Sequence, residues 1–236
     1  LADTVKTRAH CVFEYIYFAR LDSTMDGVKV YDARIRGGKS LAKSYPVEAD
    51  LVTGVPESGL PAAKGFSEES GIPFGFAFYK NSYIGRTFIK PTQKERESSV
   101  HLKLSVLDAV VKGKRIVLVD DSIVRGTTSG IIINLLRKMG AREINLLISS
   151  PPVCYPCFFG IDTAERKQLI GAKYPVDKIR EIIGADKLHY LSEEGLAKAI
   201  KEIPKEDMCM ACFNGRYPEA VPGWGLDKET GEPVNK

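Results

Sequence analysis

The sequence predicts an α/β domain built around a mainly parallel sheet, and three observations carry that prediction. "RIVLV" (115–119) is an uninterrupted apolar run, as expected for a strand buried on both faces. "TTSGIIINLLRKMG" (127–140) follows it with helical periodicity and a glycine stop at Gly140. Beyond it, short apolar strands and helical segments keep alternating, the pattern of strands joined by crossover helices.

In chain order, "CVFEYIYFAR" (11–20) reads as a strand from its aromatic alternation, and Leu21 to Gly27 as a polar turn. "VKVYDARIRGGKSLAK" (28–43) reads as a helix interrupted near Gly37 and Gly38. "ADLVTGVPESGLPAAKGFSEESG" (49–71) gives a buried strand, a Pro/Gly turn and a small-residue helix carrying Ala62, Ala63 and Phe66. "IPFGFAFY" (72–79) is a further strand candidate. From Lys80 to about Ser99 the chain turns polar and basic, a connection long enough to serve as a lid. "VHLKLSV" (100–106) alternates as a strand or hairpin arm. After "RIVLV" and its helix come the strand "EINLLIS" (143–149) and the helix "PVDKIREIIG" (175–184). The strand "KLHYL" (187–191) and the helix "SEEGLAKAIKEI" (192–203), with Ser192 at its N-cap, complete the series. The last thirty or so residues, rich in Pro, Gly and charge, read as an irregular tail. The expected organisation is an N-terminal arm over 1–20, one domain over 21–200 and a tail over 201–236.

With 236 residues, 44% apolar and 27% charged, the composition is that of a soluble globular chain with a substantial core. The net charge of +4 is scattered without a basic block, so a nucleic-acid partner is not expected. No apolar run approaches the roughly 18 residues that span a bilayer, so no membrane partner is expected either. The five cysteines include two C-x-x-C pairs, Cys154/Cys157 and Cys209/Cys212. With no apolar leader-like segment at its start, the chain is expected in the cytoplasm, where such pairs point to metal or redox chemistry.

The chemistry concentrates in "RIVLVDDSIVRGTTSG" (115–130), where a strand ends on Asp120 and Asp121 and runs into a helix rich in small hydroxyl residues. Ligands of open α/β sheets bind at the carboxyl ends of the strands. Two adjacent carboxylates can hold sugar hydroxyls and a hydrated Mg²⁺, which keeps several waters and needs few protein ligands. Free N–H groups at the start of the following helix, from Arg125 through Gly126 to Thr127, Thr128 and Ser129, suit an anion such as phosphate.

That segment resembles the fingerprint of type I phosphoribosyltransferases. The resemblance implies that Asp120 and Asp121 meet the ribose hydroxyls of phosphoribosyl pyrophosphate (PRPP), while Ser122 and Arg125–Ser129 hold its 5′-phosphate. More narrowly, the chain resembles the phosphoribosyltransferase half of the glutamine PRPP amidotransferase family. "FEYIYFAR", "GRTFIKPTQKER", "LVDDSIVRGTTS", "SSPP", "PCFFGID" and "IGADKLHYLSEEGL" all carry that likeness, which covers essentially the whole chain. It implies a type I phosphoribosyltransferase fold with a cysteine-bearing C-terminal extension. The implied reaction is formation of 5-phosphoribosylamine and pyrophosphate from PRPP and ammonia, the first committed step of purine synthesis. The family's N-terminal glutaminase domain has no counterpart in these residues, so ammonia or a separate glutaminase is the implied nitrogen source. Purine nucleotides as feedback inhibitors and a homo-oligomer are implied too.

Several residue roles come with the resemblance. "VPESG" (55–59) resembles the pyrophosphate loop, so Glu57, Ser58 and Gly59 are expected at the diphosphate and Ser58 beside Mg²⁺; the family usually has aspartate where Glu57 stands. The basic stretch resembles the family's closing loop, with Arg86 and Lys90 meeting the pyrophosphate and Tyr83 and Phe88 walling an ammonia path. Ser82 and Val106 replace residues that are often basic and proline, respectively. For the cysteines three readings stand, one of them free buried thiols. Spacing favours zinc on Cys154, Cys157, Cys209 and Cys212. The resemblance implies a [4Fe–4S] cluster on Cys11, Cys157, Cys209 and Cys212, with Cys154 spare. His10, His101 and His189 stand in unrelated contexts and read as structural or surface residues.

Overall fold

A computed structural model describes residues 8–80, 104–161, 165–219, 221, 224–226 and 233–235. Its centre is a four-stranded parallel sheet of β1 (Leu51–Gly54), β2 (Arg115–Asp120), β3 (Glu143–Ile148) and β4 (Lys187–Tyr190), paired in that order. The segment around Phe74 adds a parallel bridge to Val52 on the far side of β1. The chain therefore steps outwards after β1, then returns to place β2 on the opposite flank. This reversal of direction puts a topological switch point between the carboxyl ends of β1 and β2.

Helices cover both faces, as the continuous apolar strands require. On one face Val52, Val117, Val119 and Leu147 pack against α1 (Val30–Ser44), α2 (Leu60–Ser70) and α5 (Glu193–Ala199). On the other, Ile116, Leu118, Ile144, Leu146 and Ile148 meet Ile132, Ile133 and Leu136 of α3 (Thr127–Lys138) and Ile179 and Ile183 of α4 (Val176–Ile183). Ser192 caps α5, its Oγ accepting from the Gly195 N–H at 3.1 Å.

Four expectations change. First, α1 runs unbroken through Gly37 and Gly38 because those glycines serve helix contact. A Cβ on Gly38 would stand 1.8 Å from the Ala62 carbonyl oxygen, and one on Gly65 of α2 would stand 2.1 Å from that of Ile35. Second, residues 11–20 are not a strand. His10–Cys11 pairs briefly, in parallel, with Met208–Cys209, and Glu14–Phe18 then forms one wide helical turn. The aromatic pattern reflects two destinations, with Val12, Phe13, Tyr15 and Ile16 buried while Tyr17 and Phe18 face outwards. Third, the tail is partly regular. Ala211–Asn214 is a helical turn whose Ala211 and Phe213 are buried, and Trp224–Leu226 pairs with Pro233–Asn235. Fourth, the strand expected over 72–79 shortens to Phe78–Lys80, which pairs antiparallel with Leu104–Val106. Among the described residues no helix is long and apolar enough to cross a membrane.

Candidate phosphate and carboxylate site

Asp120 is the last residue of β2, and the chain turns at Asp121 beneath the switch point. Both are buried. The Asp121 N–H donates to Asp120 Oδ1 at 2.9 Å. The Asp121 carboxylate accepts from the hydroxyls of Ser58 and Ser122. Burial pushes both carboxyls above the usual aspartate range, and for Asp120 the neighbouring Asp121 charge adds to this. For Asp121 the two serine hydroxyls and the Arg34 charge pull the other way, favouring the ionised form.

The loop after β1 is drawn tightly against β2. The Val55 N–H donates to the Val119 carbonyl at 2.8 Å, and the Gly59 N–H to the Val55 carbonyl at 3.0 Å. A Cβ on Gly59 would lie 2.5 Å from the Val119 oxygen, so this approach needs glycine. The Pro56–Glu57 peptide is cis. The Ser58 side chain reaches Asp121, whereas the Glu57 side chain, 76% exposed, turns away to an ion pair with Lys80 at 2.9 Å.

Gly126 precedes α3 with φ of 81°, and no side chain caps the helix, so its first-turn N–H groups have no side-chain acceptor. Ser129 is buried and Thr127 and Thr128 are exposed. A cleft of about 530 Å³ is lined by Val55, Ser58 and the unbroken run from Asp120 to Ser129, with Phe13, Tyr17 and Phe18 along its side. The structure thus brings together Ser58, Asp120, Asp121, Ser122, Arg125, Gly126, Thr127, Thr128 and Ser129. It leaves Glu57 outside that lining, and Gly59 shapes the loop from below. Arg86, Lys90, Tyr83, Phe88, Ser82 and His101 lie outside the described residues.

One residue that the sequence reading passed over is Arg34. Its buried guanidinium donates to the carbonyls of Tyr15 at 2.9 Å, Tyr17 at 3.1 Å and Ala19 at 2.9 Å. It so fastens the aromatic turn that walls the cleft. The signal was present in sequence: Val30, Ala33, Arg34, Gly37, Gly38 and Leu41 recur at helical spacing, and Arg34 is the one charge on that inner face.

The cysteines separate into a set and an outlier. Cys11, Cys157, Cys209 and Cys212 line one cavity of about 500 Å³, with Cys11 and Cys209 as register partners. Cys154 is not among its lining residues, and its thiol donates to the Gly171 carbonyl at 3.2 Å. The set joins arm, loop and tail, since the Cys154 and Tyr155 N–H groups both donate to the Cys212 carbonyl. Burial raises the Cys212 thiol, and the other three thiols of the set add to the effect. Among the described residues no three His, Cys, Asp or Glu side chains form a group that could hold a metal ion. Of the histidines, His10 pairs with Asp26 at 2.9 Å and His189 stacks on Tyr45.

Adjacent acids, a serine loop and an uncapped helix start thus share one cleft at the switch point of a doubly wound α/β domain. Residues 32–150 match the model of the phosphoribosyl transferase domain, and the chain belongs to that family. It is 54% identical over 213 residues to the amidophosphoribosyltransferase of Methanocaldococcus jannaschii, covering 90% of this chain and 45% of that protein. Against the amidophosphoribosyltransferase of Bacillus subtilis the identity is 51% over 217 residues, covering 91% and 46%. A solved structure of glutamine PRPP amidotransferase from B. subtilis, complexed with ADP and GMP, superposes with a TM-score of 0.82 at 52% identity, covering 90% of this chain and 47% of that one. The chain spans about half the length of the relatives it matches.

Proposed function

We propose that this chain is the phosphoribosyltransferase part of an amidophosphoribosyltransferase, joining ammonia to PRPP to give 5-phosphoribosylamine and pyrophosphate. The observation that carries the reading is the single cleft that gathers Ser58, both acids and the Arg125–Ser129 helix start, in a chain about half identical to enzymes of that name.

In this mechanism the first-turn N–H groups and hydroxyls of Thr127–Ser129 hold the 5′-phosphate, with Ser122 and Arg125 beside it. Asp120 and Asp121 accept the ribose hydroxyls, which take over the bonds that Asp121 now receives from Ser58 and Ser122. The Val55–Gly59 loop brings backbone close to the diphosphate, with Glu57 at its outer edge. Arg86 and Lys90, from the basic connection, meet the pyrophosphate with positive charge. Ammonia displaces pyrophosphate at the anomeric carbon with inversion, so catalysis rests on positioning and on stabilising the leaving group. The buried acids and serine hydroxyl suit a hydrated Mg²⁺ shared with the diphosphate. Ser58, Asp120 and Asp121 would hold it, and it would neutralise charge on the leaving group.

The same reading assigns a [4Fe–4S] cluster to Cys11, Cys157, Cys209 and Cys212. Its support is that these four, and not Cys154, line one cavity. A glutaminase domain or subunit as ammonia source, purine nucleotides as feedback inhibitors, a homo-oligomer and a cytoplasmic location belong to it too. So does the division into arm 1–20, catalytic domain 21–200 and cysteine-bearing tail 201–236.

The test is pyrophosphate release from Mg²⁺ and PRPP by anaerobically purified protein, with and without ammonium at alkaline pH. Ammonia-dependent release is expected. Binding of PRPP without release would favour a non-catalytic PRPP or nucleotide-binding module instead.

A further inference from the structure

The four-cysteine cavity is walled largely by carbon: Phe13, Phe159, Ile161, Ala211 and Tyr217 stand among the thiols. Phe13 belongs to the core, its ring 6.1 Å from that of Phe213. Tyr217 comes instead from the tail and reaches back over the Cys157 loop. Resting on the cluster reading above, we propose that Tyr217 closes the cysteine cavity to solvent, with its ring as the cover and its hydroxyl as the fastening.

The ring meets Phe158 edge to face, with centroids 5.2 Å apart, and lies 6.3 Å from Phe159. The hydroxyl donates to the Pro156 carbonyl at 2.8 Å. That carbonyl belongs to the same peptide unit as the Cys157 amide, so the bond fixes the orientation of the residue bearing the thiol. Gly215, at φ of 73°, lets the tail turn after Ala211–Asn214 and bring Tyr217 back, and its own hydrogen face lies against the Tyr155 ring. A shell of this kind governs solvent access to a metal group, and changes in it typically cost about 10–100-fold in metal retention.

The test reads access directly. In the metal-free protein, labelling of each cysteine by a maleimide is followed by mass spectrometry, with Cys154 as internal reference. Tyr217→Ala is expected to speed labelling of Cys157 and Cys212 about tenfold, leaving Cys154 unchanged. In anaerobically reconstituted protein, the same change is expected to speed bleaching of the cluster absorbance by an iron chelator by a similar factor. Tyr217→Phe keeps the ring and loses one hydrogen bond, so labelling of Cys157 is expected to rise about two- to fivefold. Unchanged labelling in Tyr217→Ala, or equal acceleration at Cys154, overturns the proposal. If Tyr217→Ala does not fold, an unchanged Cys157 rate in Tyr217→Phe overturns it. Failure of the wild-type chain to take up iron and sulfide would instead sink the cluster reading, while the labelling comparison still decides whether Tyr217 covers the cavity.

Discussion

Asp121 carries the largest burden of any single side chain in the cleft. It is buried, it draws hydroxyls from Ser58 and Ser122, and it feels the Arg34 charge. Asp121→Asn preserves shape but replaces an acceptor-only carboxylate with a group that also donates. Turnover is expected to fall at least about a hundredfold while the melting temperature holds, a split read by pyrophosphate release alongside thermal unfolding. Asp50 makes the contrasting case, since its work is structural and pH-dependent. The Arg115 side chain, followed by the Arg115 N–H, holds its carboxyl down to about 2 from an ordinary 3.8. A carboxyl depressed in the folded state adds stability above its unfolded value and loses it as pH falls through the folded one. Asp50→Asn is therefore expected to melt slightly below wild type at pH 7. The difference should shrink between about pH 4 and 2, as thermal scans across that window would show. Because the pair is exposed, the effect is small.

At the scale of elements, the contact between α1 and α2 decides how the site-bearing loop is presented. Gly38 and Gly65 let the helix backbones approach until a methyl group has no room. In an exposed helix, Gly→Ala gains up to about 1 kcal/mol. Here Gly38→Ala or Gly65→Ala must push carbonyl oxygens aside, and each is expected to destabilise by about 3 kcal/mol or more in chemical denaturation. This is also where sequence reading met its limit. "RIVLV", "EINLLIS" and the helix after Asp120–Asp121 were legible because continuous apolar runs and a glycine stop have few other uses. Gly37 and Gly38 looked like a break because local propensity reports conformational freedom and carries no record of a neighbouring helix. The arm misled for a related reason: alternation in "CVFEYIYFAR" comes from a wide helical turn with one buried and one cleft-facing side. The cleft itself was largely legible, from Asp120 through Ser129 and at Ser58. Glu57 points outwards to an ion pair with Lys80.

Across the whole molecule, arm and tail meet in the described residues. His10–Cys11 pairs with Met208–Cys209, and Val12, Phe13, Met210 and Phe213 share one core cluster with α1 and the sheet. Arm and tail therefore close a loop of nearly the full chain length, yet their pairing is only two residues long on each side. A pairing so short depends on what surrounds it, and a group ligated by Cys11, Cys209, Cys212 and Cys157 would fasten arm, tail and the loop after β3 at one point. Binding that occurs in the folded state and not in the unfolded one adds its free energy to folding. Anaerobic loading with iron and sulfide is thus expected to raise the melting temperature by several degrees, on a scale of roughly 2–4 °C per kcal/mol for a chain of this size. Cys11→Ser should abolish both that rise and the brown absorbance. Cys154→Ser should leave both intact, because Cys154 turns to the Gly171 carbonyl away from the cavity. Loss of colour in Cys154→Ser but not in Cys11→Ser would reverse the assignment and return the paired C-x-x-C spacing as the ligand set. Loss in both would show that Cys154 supports the folded cavity without lining it.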